Sequence, residues 1–439
     1  VSDLPGTMLR MTPTRQQQIA STLAMDRQIG LVLPGGGARG AYQVGVLKAL
    51  AELLPRRSPN PFAVLSGTSA GAISAAVLAT RARVFRAAVN DLERVWANFR
   101  SEQIFRCDTA TMLKSSLRWF TALISGGLGE QNPRALLDNE PLWELLRARV
   151  NFDAIQDAID QGYLGALAIT AAGYGSARSV SFFQGTPAHQ SWDRVRRKGR
   201  PTSITLEHLM ASIAVPMIFP PVRVGQEYFG DGAMRQATPL SPALHLGAER
   251  ILVIGVRNET VDPLPGPGEQ VPYPSFGKIA GYVLDALFMD GLSSDLENLT
   301  RINLILEKLP GRVLQGEFGV LHHTDALIML PSRDIREIAG RYIGEMPKAF
   351  HFLMRGVGAT NYSGSQLLSY LLFESGYTRE LIHLGYDDAM ARQAELISFM
   401  EGEPVQARGG ISGWRDLSDE YSQRLRVLKI DEAAAAAAR

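Results

Sequence analysis

Three short motifs bring glycines, one serine and one carboxylate into a recognisable pattern. Residues 35–40 read Gly-Gly-Gly-Ala-Arg-Gly, residues 67–71 read Gly-Thr-Ser-Ala-Gly, and Asp231 stands between Gly230 and Gly232. A serine can act as a nucleophile when a neighbouring base removes its proton. A glycine-rich turn can present backbone N–H groups to a developing negative charge. Together these residue types could carry out acyl transfer.

Both glycine motifs lie between a predicted strand and a predicted helix. Residues 29–33 form a short apolar run with β character, and residues 41–54 carry apolar side chains at helical spacing. The second motif repeats the plan, with a strand at 62–65 and a helix at 70–79. Because crossovers between parallel strands are right-handed, both turns should leave the sheet at the same edge. The serine and the glycine-rich turn can therefore share one site.

Each motif also has a simpler interpretation. A glycine-rich turn after a strand is typical of dinucleotide-binding domains, but these need an acidic residue at the end of the next strand. The sequence has Leu65-Ser66-Gly67 there. An Asp-Gly pair is, by itself, typical of a hairpin turn. The strand-to-helix context of residues 67–71 instead indicates a nucleophile elbow, which holds the serine Oγ exposed on a strained turn.

A fourth stretch, the apolar and proline-rich residues 211–221, completes a family pattern. In their order and spacing, residues 35–40, 67–71, 211–221 and 231–233 resemble the patatin-like phospholipases. The resemblance implies an α/β, three-layer fold with a mainly parallel central sheet flanked by helices, plus a C-terminal helical region. It also implies a lipid acyl hydrolase that cleaves fatty acyl ester bonds of phospholipids through a Ser-Asp dyad and an acyl-serine intermediate. Residues 381–389 resemble the C-terminal end of bacterial members.

The resemblance assigns the site residue by residue. It makes Ser69 the nucleophile and Asp231 the base, acting without a histidine. The oxyanion hole would come from the glycine nest, Gly35, Gly36, Gly37, Ala38, Arg39 and Gly40. The nucleophile elbow comprises Gly67, Thr68, Ala70 and Gly71, and Gly232 and Ala233 complete the acid motif.

The electrostatics of two of these residues can be anticipated. A free aspartate has a pKa of about 3.9, and burial would raise the pKa of Asp231 and improve it as a base. Arg39 is expected to order the nest, with a phosphate contact as the alternative. No cofactor and no metal are expected.

Two other functions stay open at this point. An α/β-hydrolase-type esterase would use a Ser-Asp-His triad, whose order fits the histidines after Asp231 although none lies in a recognisable motif: His245, His322, His323, His351 and His383. A non-catalytic lipid-binding protein is disfavoured because Ser69, Asp231 and the nest are all intact. Adjacent histidines at 322–323 are weak evidence for a metal site.

Composition and pattern divide the 439 residues. We expect an N-terminal extension at 1–27, a patatin-like catalytic domain at 28–331, a C-terminal helical region at 332–430 and a tail at 431–439. The net charge of +1 gives no indication of a nucleic-acid partner. The single cysteine, Cys107, excludes an internal disulfide.

Membrane association is expected to be peripheral. Residues 1–27 lack the apolar core of a signal peptide, and no run approaches the roughly 18 apolar residues of a spanning helix. These features predict a cytoplasmic protein, in contact with the inner membrane surface, that takes a phospholipid or other fatty acyl ester as substrate and can form a homo-oligomer. A predicted helix at 109–124 either faces the core or forms a lid or membrane-docking element. The basic residues 194–200 form a solvated loop or contact anionic headgroups.

Further elements are predicted from hydrophobic pattern. Residues 332–400 should be helical and pack on the main domain, on another copy or on a membrane. The remaining strands are expected at 163–170, 179–184, 251–256, 301–306 and 326–330, and the remaining helices at 84–99, 133–150, 153–161, 206–214, 276–289 and 292–299.

Overall fold

The computed structural model describes residues 29–108, 135–258, 273–308, 314–316, 319–360 and 364–413. Within these ranges, eleven strands form one mixed sheet, helices flank it, and a helical region follows toward the C-terminus. The predicted fold class is therefore confirmed. The predicted helix at 109–124, the N-terminal extension and the tail lie outside the described residues.

The strands have the following bounds: β1 Ile29–Leu33, β2 Val64–Thr68, β3 Ala166–Gly173, β4 Ser179–Gly185, β5 Trp192–Asp193, β6 Arg197–Pro201, β7 Val222–Val224, β8 Glu227–Asp231, β9 Arg250–Ile254, β10 Leu314–Gly316, β11 Gly319–Leu321, β12 Asp325–Met329 and β13 Ile411–Ser412. The helices are α1 Ala41–Leu53, α2 Ala70–Thr80, α3 Phe85–Trp96, α4 Glu140–Arg149, α5 Asp153–Asp160, α6 Leu206–Ile213, α7 Ser241–His245, α8 Phe276–Asp285, α9 Gly291–Glu307, α10 Ile335–Arg341, α11 Lys348–Gly356, α12 Ser365–Leu371, α13 Ser375–Ala391 and α14 Gln393–Met400.

The sheet is parallel across its centre. Its order is β13-β12-β9-β1-β2-β3-β4-β6-β5, and every pair from β13 to β3 is parallel. The central strands β1 and β2 are buried along their whole length, as expected of strands covered on both faces. The β7–β8 hairpin joins β3 antiparallel. This hairpin brings the acid motif into the main sheet.

One predicted strand is wrong. Residues 301–306 belong to the long helix α9, not to a strand. The buried side chains Leu292, Leu296, Leu299 and Asn303 recur at helical spacing, whereas Ile302 is exposed. Asn303 Nδ2 donates to the Thr324 carbonyl, 2.9 Å away, which fixes the last turns of the helix against the chain before β12. A short run rich in isoleucine and leucine was compatible with either element.

Helix boundaries also differ from the predictions. The helix predicted at 133–150 begins only at Glu140, and α8 passes at residue 286 into a π-helical segment, Ala286–Asp290, before α9. π-helical segments often mark functional sites.

Among the described residues, no helix combines the length and the apolar character needed to cross a bilayer.

The helices after β12 pack on the main body. Helix α13 crosses α1 at close range. A Cβ at Gly45 would lie only 2.1 Å from the Ile382 carbonyl oxygen. A Cβ at Gly385 would lie only 2.2 Å from the Tyr42 carbonyl oxygen. The two glycines therefore allow backbone-to-backbone contact. Of the three arrangements predicted for this region, the structure shows packing on the main domain.

Candidate active site

Ser69 stands on a strained turn between β2 and α2. Its backbone adopts φ 53° and ψ −126°, a conformation that residues with a Cβ seldom occupy. A Cβ at Gly71 would lie 2.0 Å from the Leu33 carbonyl oxygen, so glycine lets α2 begin against the end of β1. The Ser69 N–H donates to Ser212 Oγ, 2.9 Å away on α6. This is the geometry of a nucleophile elbow.

Ser69 and Asp231 come together because two strands end against the same edge of β3. Strand β2 pairs with β3 as far as Thr68, which lies opposite Thr170. Strand β8 runs the other way and ends at Asp231, opposite Ala171. The other edge of β3 is occupied by β4. Strands β2 and β8 therefore share one edge of β3, and their ends lie opposite the consecutive residues Thr170 and Ala171. The serine and the carboxylate are therefore neighbours in space.

The carboxyl group of Asp231 is buried and only partly hydrogen-bonded. Oδ1 accepts from the Ala233 N–H at 2.9 Å, whereas Oδ2 has no hydrogen-bond partner of standard geometry within the described residues. Burial raises the pKa of Asp231 to about 7, and the nearby Ser69 hydroxyl and the Ala233 N–H limit that rise because they stabilise the carboxylate. The site therefore holds a carboxylate that titrates near neutrality and has oxygen lone pairs free for a proton.

The glycine nest lies directly beside the serine. A Cβ at Gly35 would lie 2.9 Å from the Ser69 Cβ, which shows how closely the two turns approach. The nest continues as a 3-10 turn, Gly37–Gly40, that leads into α1. The Arg39 N–H donates back to the Gly36 carbonyl at 3.1 Å. The N–H groups that precede it belong to the first turn of a helix, which has no acceptor of its own for them. The start of a helix is a position at which anions can bind.

The Arg39 side chain anchors the nest to helices α8 and α12. This side chain is 2% exposed. Nε and one terminal nitrogen donate to Ser369 Oγ at 2.9 and 2.7 Å, and the other terminal nitrogen contacts Asp285 at 3.1 Å and the Tyr370 hydroxyl at 3.0 Å. Every guanidinium nitrogen is thus engaged, and the nest is tied to α8 and α12. This arrangement supports the loop-ordering prediction over a phosphate contact.

The nest leaves no room for a side chain at Gly37. Its φ is +54°, and a Cβ there would lie 2.3 Å from the Tyr370 carbonyl oxygen. We expect Gly37→Ala to lower kcat/KM for a soluble ester about a hundredfold or more, the scale of losing one oxyanion donor. The matched control is Gly340→Ala on α10, where a Cβ meets no atom within 4 Å. An unchanged kcat/KM in folded Gly37→Ala protein would remove the nest from catalysis.

An apolar cavity borders this site, and both Ser69 and Gly37 line it. The rest of its wall is almost entirely apolar and includes Trp96, Phe99, Ile213, Phe219, Leu284 and Phe288. Tyr370, Leu371 and Phe373 complete the wall, so the C-terminal region contributes to the site. The wall is therefore suited to contact the hydrocarbon part of a substrate whose polar end lies at Ser69.

One family model matches a single stretch of the chain that contains the serine, the carboxylate and the nest described above. Residues 31–244 match the model of the family described as patatin-like phospholipase, and the match contains Ser69, Asp231 and the whole nest. The chain carries a patatin-like phospholipase domain.

Individual relatives overlap this patatin-like chain only in part. "Lysophospholipase nte1" of Aspergillus terreus is 50% identical over 58 residues, 13% of this chain and 4% of the relative. The protein of the same name from Aspergillus oryzae is 48% identical over 58 residues, 13% of this chain and 3% of the relative. The chain thus matches a small fraction of the length of these relatives.

Solved structures also resemble this chain in part. The crystal structure of VipD from Legionella pneumophila has 12% sequence identity and a TM-score of 0.33. The alignment covers 81% of this chain and 67% of VipD. Human GIVD cytosolic phospholipase A2, in complex with a fluorophosphonate inhibitor, has 13% identity and a TM-score of 0.39, covering 89% of this chain and 63% of that one.

The histidines of the patatin-like chain lie away from its serine and carboxylate. All seven fall within the described residues, and none of them hydrogen-bonds to either side chain: His189, His208, His245, His322, His323, His351 and His383. His208 is held by Thr205, and burial lowers its pKa to about 4. His245 is held by Ser241. The geometry therefore offers no third member for a triad.

Several supporting residues of the patatin-like site were not predicted. Ser212 accepts from the Ser69 N–H and donates to the Thr170 carbonyl at 2.7 Å, so it fixes the elbow between α6 and β3. Its position inside the 211–221 motif was the available signal. Asp285 and Ser369 hold Arg39 but belong to no motif, so their role could not be predicted.

Proposed function

We propose that the chain is a lipid acyl hydrolase that cleaves fatty acyl esters of phospholipids, with Ser69 as nucleophile and Asp231 as base. One observation carries the proposal: the apolar cavity is lined by a serine that is strained on its elbow and lies beside a buried carboxylate. The patatin-like family match supports the same chemistry. An acyl chain would occupy the cavity, and the ester carbonyl would lie between Ser69 and the nest.

The geometry supports a two-step reaction. In the first step, Asp231 takes the proton of the Ser69 hydroxyl while Oγ attacks the ester carbonyl carbon. The carbonyl oxygen becomes an oxyanion and accepts hydrogen bonds from the N–H groups of Gly36, Gly37 and Ala38. The bond to the lysolipid alcohol then breaks, and Asp231 returns the proton to the leaving alkoxide. In the second step, Asp231 takes a proton from water, which attacks the acyl-Ser69 ester. The bond to Ser69 Oγ then breaks, Asp231 returns the proton to Oγ, and the fatty acid is released.

A purely lipid-binding role accounts poorly for the site. Binding an acyl chain requires only the apolar wall. It requires neither a serine at φ 53° nor an incompletely hydrogen-bonded carboxylate, and both features are unfavourable for the folded state. Such costs persist where they serve chemistry, so they favour an enzyme over a binding protein.

The direct test is fatty acid release. The purified chain is incubated with phosphatidylcholine and lysophosphatidylcholine micelles, and free fatty acids are measured by mass spectrometry. In parallel, a fluorophosphonate probe should label Ser69, as read from the peptide mass. Folded protein that releases no fatty acid and leaves Ser69 unlabelled would contradict the proposal.

The buried carboxylate gives the reaction a defined pH dependence. Asp231 accepts a proton only when it is ionised, and its pKa is raised to about 7. We expect kcat/KM for p-nitrophenyl butyrate to fall as the pH drops below about 7 and to level off above it. A profile that stays flat down to about pH 5 would show that the essential base has an ordinary carboxyl pKa, and would exclude the buried carboxylate from that role.

A further inference from the structure

Helix α8 exposes an unusually apolar outer surface. Phe276, Ile279, Tyr282 and Val283 are each between 47% and 70% exposed, and Tyr273, just before the helix, is 94% exposed. At 3.6 residues per turn, the four helical side chains fall within about 120° of the circumference. We call these four residues the α8 face. Contiguous exposed apolar side chains of this kind mark an interaction surface.

The only charged side chain that α8 exposes is basic. Lys278 is exposed next to the α8 face, whereas Asp285, the only acidic residue of the helix, is buried. The neighbouring helix α11 has no acidic residue and carries Lys348 and Arg355, with Phe352 80% exposed between them. The Gly277 N–H of α8 donates to the carbonyl of Val357, directly after α11, at 2.8 Å. Each of the two helices thus exposes at least one aromatic side chain and one basic side chain.

The inner side of α8 belongs to the active site. Leu284 lines the apolar cavity, and Phe288, in the π-helical segment that follows, lines it as well. Asp285 forms the buried ion pair with Arg39 that anchors the nest. One helix therefore separates the exposed α8 face from the cavity and the oxyanion loop.

We propose that the α8 face docks on a bilayer surface that carries anionic lipid headgroups. Tyrosine and phenylalanine side chains with an adjacent lysine suit a membrane interface, where the rings enter the boundary of the acyl region and the ammonium group reaches the headgroups. Docking here places the cavity one helix away from its lipid. The inference rests on the proposed function for its purpose, but the docking itself can be measured without catalysis.

The test measures vesicle binding in a catalytically silent background. Ser69→Ala protein is co-sedimented with vesicles of phosphatidylcholine and phosphatidylglycerol, so the lipid stays intact. Adding Phe276→Asp and Tyr282→Asp should lower the partition coefficient at least about tenfold, because two aromatic side chains can no longer be buried in lipid. Adding Lys278→Glu should abolish the preference for these vesicles over vesicles of phosphatidylcholine alone. The matched control, Ile305→Asp, changes a 57% exposed apolar residue near the end of α9 and should bind like its parent.

Each outcome decides the proposal. Equal vesicle binding by the parent and by the Phe276→Asp, Tyr282→Asp protein would overturn it, as would a parent that does not bind vesicles. If light scattering shows a dimer that the two substitutions dissociate, and the parent ignores vesicles, the face belongs to a second copy and the proposal is wrong. Catalysis is read separately with p-nitrophenyl butyrate on protein that retains Ser69. Vesicle binding without ester turnover would reject the proposed function and leave the docking face standing.

Discussion

Ser69→Ala protein is expected to fold normally and to lose ester hydrolysis, with kcat falling by about four or more orders of magnitude. The substitution removes only the hydroxyl. The Ser69 N–H still donates to Ser212, and alanine has the same Cβ on the strained turn, so the elbow keeps its geometry. Initial rates on p-nitrophenyl butyrate and a thermal melt followed by circular dichroism give the two measurements.

A serine in the helix that follows Ser69 provides the control. Ser74 on α2 is fully buried, and its Oγ has no hydrogen-bond partner among the described residues. Ser74→Ala should therefore leave both kcat and the melting temperature nearly unchanged. A burst of p-nitrophenol from Ser69→Ala protein would show that another group is the nucleophile.

The elbow and the nest could be placed from sequence because their chemistry is local. Glycine at 71 and small residues beside Ser69 are required by the turn itself, and the strand-turn-helix pattern repeats within about forty residues. The neighbouring position of the two turns followed from the handedness of parallel crossovers. The structure confirms it, with Leu33 at the end of β1 paired with Gly67 on β2.

The meeting of Ser69 with Asp231 could not be derived from local pattern. It depends on β8 entering the edge of β3 one position beyond the end of β2. A local reading of Asp-Gly gives only a hairpin turn. The pairing was predicted through the family resemblance, and the register of three strands supplies its physical reason. A Cβ at Gly232 would lie 2.1 Å from the Thr170 carbonyl oxygen, which explains the glycine after the acid.

The support of the nest was beyond sequence reasoning. Arg39 finds Asp285 and Ser369 at separations of 246 and 330 residues along the chain. These partners lie on helices whose amphipathic pattern predicts which side chains are buried but not which side chains they contact. The wrong strand at 301–306 has a related cause, because a short apolar run fits a helix as well as a strand until its neighbours are known.

Asp231→Asn should reduce kcat nearly as far as Ser69→Ala, because an amide cannot accept the serine proton. The same change should not destabilise the protein at neutral or higher pH. Since burial raises the pKa of Asp231 to about 7, the folded state disfavours the ionised carboxylate, and the contribution of Asp231 to the stability of the unsubstituted protein falls as pH rises from about 4 to about 7. We therefore expect the melting temperature of Asp231→Asn to equal or exceed that of the unsubstituted protein at pH 8.

The histidines separate a dyad from a triad. Single alanine substitutions at each of the seven should leave kcat within about tenfold, or about 1.4 kcal/mol of barrier, because none of them reaches Ser69 or Asp231. In a triad the histidine carries the proton, and its loss costs about as much as the loss of the nucleophile. The dyad is falsified if one folded histidine variant falls as far as Ser69→Ala. In that case Asp231 would orient the histidine, and the kcat/KM limb near pH 7 would belong to the imidazole rather than to the buried carboxylate.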